Sequence, residues 1–351
     1  MYFLFYTVSG LRRTSKYQNM MRLLILFLLA FPSIVHAQLS FYNSDAYWSN
    51  FCLQNSCAEP SVTDTCLVFV SNRHLQPDSL RFVDEYVDTT GLKYFFLQKR
   101  AGRWNVFQAA DLAEAMSLLP EKRDIVVYAE GMGKIFTTNV ERALLMRSQY
   151  HINVVMFDYS SINTTYKPSR NFYFAQNNAR LSARHYFQLL KILQQARRDN
   201  EYWVQHVKIS TFYHSMGNII LKEMMEHQAY QELNELPFID NLVINAACVP
   251  RRHHKDWVEN IRFANKVYIH YNRMDLQLKG AHMLTFRTQL GEKVTKGRAA
   301  NATYINFHKQ VGHQHSYFLD FPKNEYRMTD AMKEYFALLF TGNKTTLLTS
   351  N

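Results

Sequence analysis

The sequence predicts an α/β fold, with a mostly parallel central sheet and helices on both faces. Three observations predict it. Strand-like and helix-like stretches alternate from Cys66 onward. The strand-like stretches are short, apolar and rich in β-branched or aromatic residues, as strands buried on both faces are. The chain has 351 residues, 47% hydrophobic and 20% charged, which is enough to bury one large core, and no Pro/Gly linker, repeat or low-complexity tract divides it.

Taken in order, strands are expected over 67–70, 94–98, 125–128, 154–157, 207–212, 242–245 and 267–271, with another strand-like stretch over 304–307. Helices are expected over 109–119, 139–148, 178–197, 216–226 and 330–340. Such alternation implies parallel strands joined by helical crossovers. One domain is expected over 66–345. The polar, aromatic segment 38–65 reads as an N-terminal arm. Segment 159–177, aromatic and Asn-rich, reads either as a cover over a site or as a plain surface loop.

The N-terminus reads as a targeting signal. Met20-Met21-Arg22 precedes an apolar run from Leu23 to Ala30, then Val35-His36-Ala37. That is a basic start, an apolar centre and a small-residue cleavage site, so 1–37 is expected to be a signal peptide cut after Ala37, with residues 1–19 an extension upstream of the true start. The run is short for a membrane span, and none follows it in the sequence. A secreted or periplasmic protein without a stable membrane span is the expectation.

The formal charge is +11, and the first 37 residues hold Arg12, Arg13, Lys16 and Arg22 with no acid. Subtracting those four leaves +7. A basic surface favours anionic partners such as nucleic acid, acidic lipid or acidic polysaccharide. No Lys/Arg block resembles a nucleic-acid arm; the densest cluster, Arg251-Arg252-His253-His254-Lys255, is short, so nucleic acid is not expected. Export would permit a disulfide among Cys52, Cys57 and Cys66, with 52–57 the shortest loop. Cys248 ends an apolar run and reads as a buried thiol. Asn163, Asn301 and Asn343 are sequons that matter only in a eukaryotic secretory route.

The chemistry concentrates after the strand over 207–212. Tyr213-His214-Ser215-Met216-Gly217-Asn218 leads directly into a helix, so the order is strand, tight turn, helix. A serine there projects its hydroxyl from the sheet end, and the Met216 N–H points at a developing oxyanion. A capping serine would give the same local pattern. A nucleophilic serine needs a base, and the base an orienting acid. Asp275 lies just past the strand over 267–271, where the acid belongs. Two histidines, His313 and His315, follow the strand-like 304–307. His315 is preferred as base because it leads into Tyr317-Phe318-Leu319, an apolar anchor. The second oxyanion donor is expected from the loop after 125–128, at the Met132 N–H beside Gly131. His308, His313 and His315 also permit a metal reading, but no H-E-x-x-H run accompanies them, so no metal and no cofactor is expected.

The order of these parts resembles the α/β-hydrolase superfamily, especially a bacterial branch of uncharacterised exported hydrolases. The resemblance covers roughly 66–340. Leu67-Val68-Phe69-Val70-Ser71-Asn72-Arg73 is similar to that branch's opening strand and Asn-Arg turn. Val154 to Ser160 is similar to its strand ending in Asp-aromatic-x-Ser, 214–218 to its His-Ser-Met-Gly-Asn elbow, and His315-Ser316-Tyr317 to its late His-Ser-Tyr. The resemblance implies an α/β-hydrolase fold with Ser215, Asp275 and His315 as nucleophile, acid and base. Two residues depart from it. Tyr213 stands where the elbow usually begins with Gly, and Glu130-Gly131 stands for His-Gly. A carboxylate at 130 opposes oxyanion stabilisation unless it is paired or turned away.

The expectation is thus an exported serine hydrolase acting on a small-molecule or lipid-like acyl substrate. The alternatives are a catalytically impaired binding protein of the cell envelope, favoured by the two departures, and a metal-dependent hydrolase using the histidines at 308–315.

Overall fold

The computed structural model describes residues 39–227, 229–295, 297–321 and 326–345. The signal peptide expected over 1–37 lies outside them. The strands are β1 (Phe51–Gln54), β2 (Thr65–Ser71), β3 (Arg73–Leu75), β4 (Val83–Val87), β5 (Lys93–Arg100), β6 (Arg103–Ala109), β7 (Ile125–Ala129), β8 (Asn153–Asp158), β9 (Ile209–His214), β10 (Ile239–Asn245), β11 (Ala264–Tyr271) and β12 (Ala302–Asn306). The helices are α1 (Asp45–Trp48), α2 (Leu112–Ser117), α3 (Phe136–Tyr150), α4 (Pro168–Arg198), α5 (Gly217–Glu226), α6 (His254–Val258), α7 (Leu276–Thr285), α8 (His308–Val311) and α9 (Asp330–Phe340).

Among the described residues, ten strands form one sheet in the order β1-β6-β5-β2-β8-β7-β9-β10-β11-β12. From β2 to β12 every neighbouring pair is parallel. On the other side β5 runs antiparallel to both β2 and β6. The expected architecture is therefore present, a large and mostly parallel sheet flanked by helices. β7, β8 and β9 are buried along their whole length, as their continuous apolar runs require.

The differences from expectation have local causes. β6 alternates exposed and buried positions, the mark of a half-covered edge region, and its polar residues hide it from a search for apolar runs. β3 and β4 form a separate polar hairpin. Residues 39–65 lie along the domain: β1 pairs parallel with β6, and Trp48 of α1 stacks on Phe136 at 6.0 Å. α4 begins ten residues earlier than the 178–197 expectation, with Pro168 at its first turn, where a missing N–H costs no helical bond. Half of the 159–177 segment is thus helix, and 159–163 is buried. No helix among the described residues is long and apolar enough to cross a membrane. All four cysteines are unpaired.

Candidate active site

β9 runs through His214, so Ser215 begins the turn. Its φ is +52°, in the left-handed region, which costs a non-glycine residue on the order of 1–3 kcal/mol. The surroundings hold it there. Ser215 N donates to Asn245 O at 3.1 Å, and Cys248 N donates to Ser215 O at 3.0 Å. Asn218 Nδ2 lies within 3.1 Å of the carbonyl oxygens of Tyr213, Ser215 and Asn245, tying the two ends of the turn to β10. Gly217 is obligatory for packing: a Cβ there would lie 2.3 Å from Ala129 O. Tyr213 fits where a small residue was expected because its buried ring turns to Tyr186 of α4, 5.3 Å away.

Asp275 caps α7. Its Oδ1 accepts from Leu278 N at 3.0 Å, and its Oδ2 accepts from His315 Nδ1 at 2.6 Å. Both side chains are buried. One carboxylate thus starts a helix and orients a histidine. Asn272 joins the two segments, its Nδ2 donating to Gly312 O and Gln314 O at 2.9 Å each. Tyr317, Phe318 and Leu319 are buried behind His315, and Phe318 packs on Phe212 at 4.7 Å. Burying one such ring contributes about 2–3 kcal/mol, enough to hold a short loop.

His313 is exposed, with Nδ1 3.1 Å from Met274 O, and His308 lies against Arg273. The three late histidines therefore have three different surroundings. No group of three or more His, Cys, Asp or Glu among the described residues is placed to hold a metal ion.

His214, the residue before Ser215, lies beside His315 and Ser316. The His214 and His315 rings have centroids 4.7 Å apart and are tilted by 47°, and His214 Nε2 is 3.0 Å from Ser316 Oγ. Ser215 Oγ makes no hydrogen bond among the described residues, and neither does His315 Nε2. The Met216 and Met132 N–H groups likewise have no acceptor among them. Gly131 explains the space beside them: a Cβ at this position would lie 2.6 Å from Ser215 Cβ and 3.1 Å from Met216 N. A side chain at 131 would crowd Ser215 and the Met216 N–H.

Glu130 is paired. Tyr128 Oη donates to its Oε2, Gly131 N to its Oε1 at 2.8 Å, and Arg142 Nε lies 3.1 Å from Oε2. Burial pushes its pKa up, but Arg142, His214, Lys134 and the Tyr128 hydroxyl outweigh that and hold it well below the usual carboxylate range. The charge is thus met by Arg142. Lys134, on the same loop, is lowered to about 8, first by burial and then by Arg142. His214 is lowered to about 3, mainly by burial, and stays neutral. Its Nδ1 bonds Asn245 Oδ1 at 2.9 Å; Asn245 Nδ2 donates onward to His270 Nδ1 at 3.1 Å.

Arg73 was legible only as part of an opening motif. Its Nε pairs with Asp158 at 2.8 Å, fully buried, and its Nη2 donates to Lys134 O at 2.8 Å and Tyr159 O at 2.7 Å. It therefore holds the 130–134 loop and the segment after β8 together. Its partners lie 61 to 86 residues along the chain, so no local signal marks the role. A cavity of about 260 Å³ lies among Leu39, Ile162 and Asn171, away from these groups.

No curated protein matches the chain, and no solved structure does. A family model described as alpha/beta hydrolase of unknown function (DUF900) matches residues 107–306, which spans β7 to β12 with the Ser215 turn and Asp275 and stops short of His315. With more than half of its length matched and a parallel sheet that carries a strand–serine–helix turn, the chain belongs to this alpha/beta hydrolase family of unknown function.

Proposed function

We propose that the chain is an exported serine hydrolase of ester or related acyl bonds. The observation that carries this is the buried Asp275–His315 bond of 2.6 Å, which leaves His315 Nε2 without a partner among the described residues, at the end of the sheet where Ser215 stands. In the reaction, His315 Nε2 takes the Ser215 proton as Oγ attacks the acyl carbonyl. Asp275 holds the ring and balances the imidazolium. The Met216 and Met132 N–H groups receive the oxyanion. Collapse passes the proton from His315 to the leaving group and leaves an acyl-serine. Water, deprotonated by the same histidine, then releases the acid and restores Ser215. No cofactor takes part. The leader-like pattern over 1–37 supports export, and an N-terminus at Gln38 in the secreted protein is the expected sequencing result.

The absence of a Ser215–His315 hydrogen bond among the described residues favours a second reading, a binding protein of the cell envelope without turnover. Catalytic hydrogen bonds often tighten only with substrate bound, so the geometry is compatible with both. A fluorophosphonate probe separates them. Labelling of the wild type that disappears in Ser215→Ala and falls sharply in His315→Ala supports the hydrolase. A well-folded wild type that does not label sinks it and leaves the binding protein.

A further inference from the structure

α7 starts at Asp275 and ends in an apolar tip that the fold does not cover. Met283, Leu284 and Phe286 are 51%, 46% and 91% exposed. Met283 and Phe286 are three residues apart and share a face as the helix ends. Phe286 closes the helix with φ +53°, a left-handed conformation that a bulky residue adopts at a cost. Its ring gains almost no contact in return. Exposed aromatic rings of this kind mark interaction sites.

The charge around the tip has one sign. Lys279 lies one turn before Met283; Arg287 follows Phe286, and the exposed Lys293 follows the turn at 289–292, its N–H donating to Gln289 O. None of the three makes an ion pair among the described residues. The carboxylates of the same segment are both engaged: Asp275 with His315, and Glu292 with His282. An apolar tip rimmed by unpaired cations is complementary to an anionic lipid surface, where rings enter the acyl boundary and cations meet the headgroups. A protein partner would instead favour a flatter patch with partly covered rings and charges of both signs.

The tip is also tethered near the active end of the sheet. Phe286 is four residues from Leu290, hence at most about 14 Å away. Leu290 N donates to Val249 O, Gly291 N to Ala247 O, and the intervening Cys248 N to Ser215 O. We infer that the α7 tip at Met283, Leu284 and Phe286, with its rim of Lys279, Arg287 and Lys293, docks the protein on an anionic lipid bilayer. Docking in this way brings the Ser215 end of the sheet to the membrane surface. The binding step goes beyond the proposed hydrolysis and does not depend on it.

The test is co-sedimentation of the full chain with phosphatidylglycerol/phosphatidylcholine vesicles and with phosphatidylcholine vesicles alone. The wild type is expected to partition about a hundredfold better to the anionic vesicles, at roughly fivefold per cation. The triple variant Lys279→Gln/Arg287→Gln/Lys293→Gln is expected to lose that preference. Met283→Ser/Leu284→Ser/Phe286→Ser is expected to bind both vesicles at least about tenfold more weakly, since its three apolar side chains no longer enter the bilayer. The apolar run Leu23 to Ala30 is common to all forms, so the differences isolate the tip. Five of the six sites are exposed and Lys279 is half-buried, and unchanged thermal midpoints are expected to show that the variants fold. Ser215→Ala is expected to bind vesicles like the wild type while losing probe labelling, which separates this proposal from the catalytic one. Equal partition of wild type and apolar triple variant would overturn it. So would a wild type that ignores vesicles and self-associates through the tip in sedimentation equilibrium.

Discussion

His315 and His214 lie ring to ring, 4.7 Å apart, and each faces a buried carboxylate. Their situations are opposite. His315 gives Nδ1 to Asp275 and keeps Nε2 without a partner among the described residues. His214 has both nitrogens engaged, one by Asn245 and one by Ser316, and Glu130 stands 3.7 Å off, already held by Arg142 and Tyr128. Residue type therefore does not distinguish the proposed base from a structural histidine here. What distinguishes them is whether a nitrogen is left over for a substrate, and whether the neighbouring carboxylate is committed elsewhere.

The largest effect is expected from substitutions that erase this difference. His315→Ala and Asp275→Asn are each expected to slow fluorophosphonate labelling by about 10³–10⁴-fold, whereas His214→Gln is expected to stay within about tenfold. Asp275→Asn should leave the thermal midpoint nearly unchanged, because Asn also caps a helix. Equal losses in His214→Gln and His315→Ala would break the comparison.

The next effect concerns Glu130. Glu130→Gln strands the nearly buried Arg142 guanidinium, and denaturant unfolding is expected to show a loss of about 3 kcal/mol. Adding Arg142→Met should recover most of it. No recovery would mean that Glu130 acts through other partners. Gly131→Ala comes third. Its methyl group would lie 2.6 Å from Ser215 Cβ and 3.1 Å from Met216 N, so the labelling rate is expected to fall by about 10²-fold and the thermal midpoint to drop as the turn shifts, at a cost of about 1–3 kcal/mol.

The effect spread over the widest pH range is on acid stability. Burial depresses His214 and His270 from 6.5 to about 3, so the unfolded chain binds the protons first. Stability is then full above about pH 6.5 and falls as pH drops toward 3, by up to ~1.4 kcal/mol per pH unit for each histidine. Urea unfolding at a series of pH values checks the slope, and the double variant His214→Gln/His270→Gln should flatten it.

Much of this protein was readable from its residues in order. The apolar runs of β2, β7, β8 and β9 announce themselves because a strand buried on both faces has no polar side to confuse the pattern. Ser215 was legible because strand, turn and helix are adjacent in sequence, and Asp275 because it directly follows a strand. The half-buried β6 and the polar start of α4 were not, since alternating or polar segments look alike whether or not they are ordered. His315 was preferred over His313 from the apolar run that follows it, although the two stand only two positions apart in the same loop. Tertiary structure alone decided that His315 meets Asp275, that Glu130 is met by Arg142, that Tyr213 finds room against Tyr186, and that Arg73 holds the 130–134 loop. The physical reason is the same each time. Local sequence sets backbone preference and burial, whereas hydrogen bonds and ion pairs between segments tens of residues apart exist only once the sheet has brought the ends of its strands together.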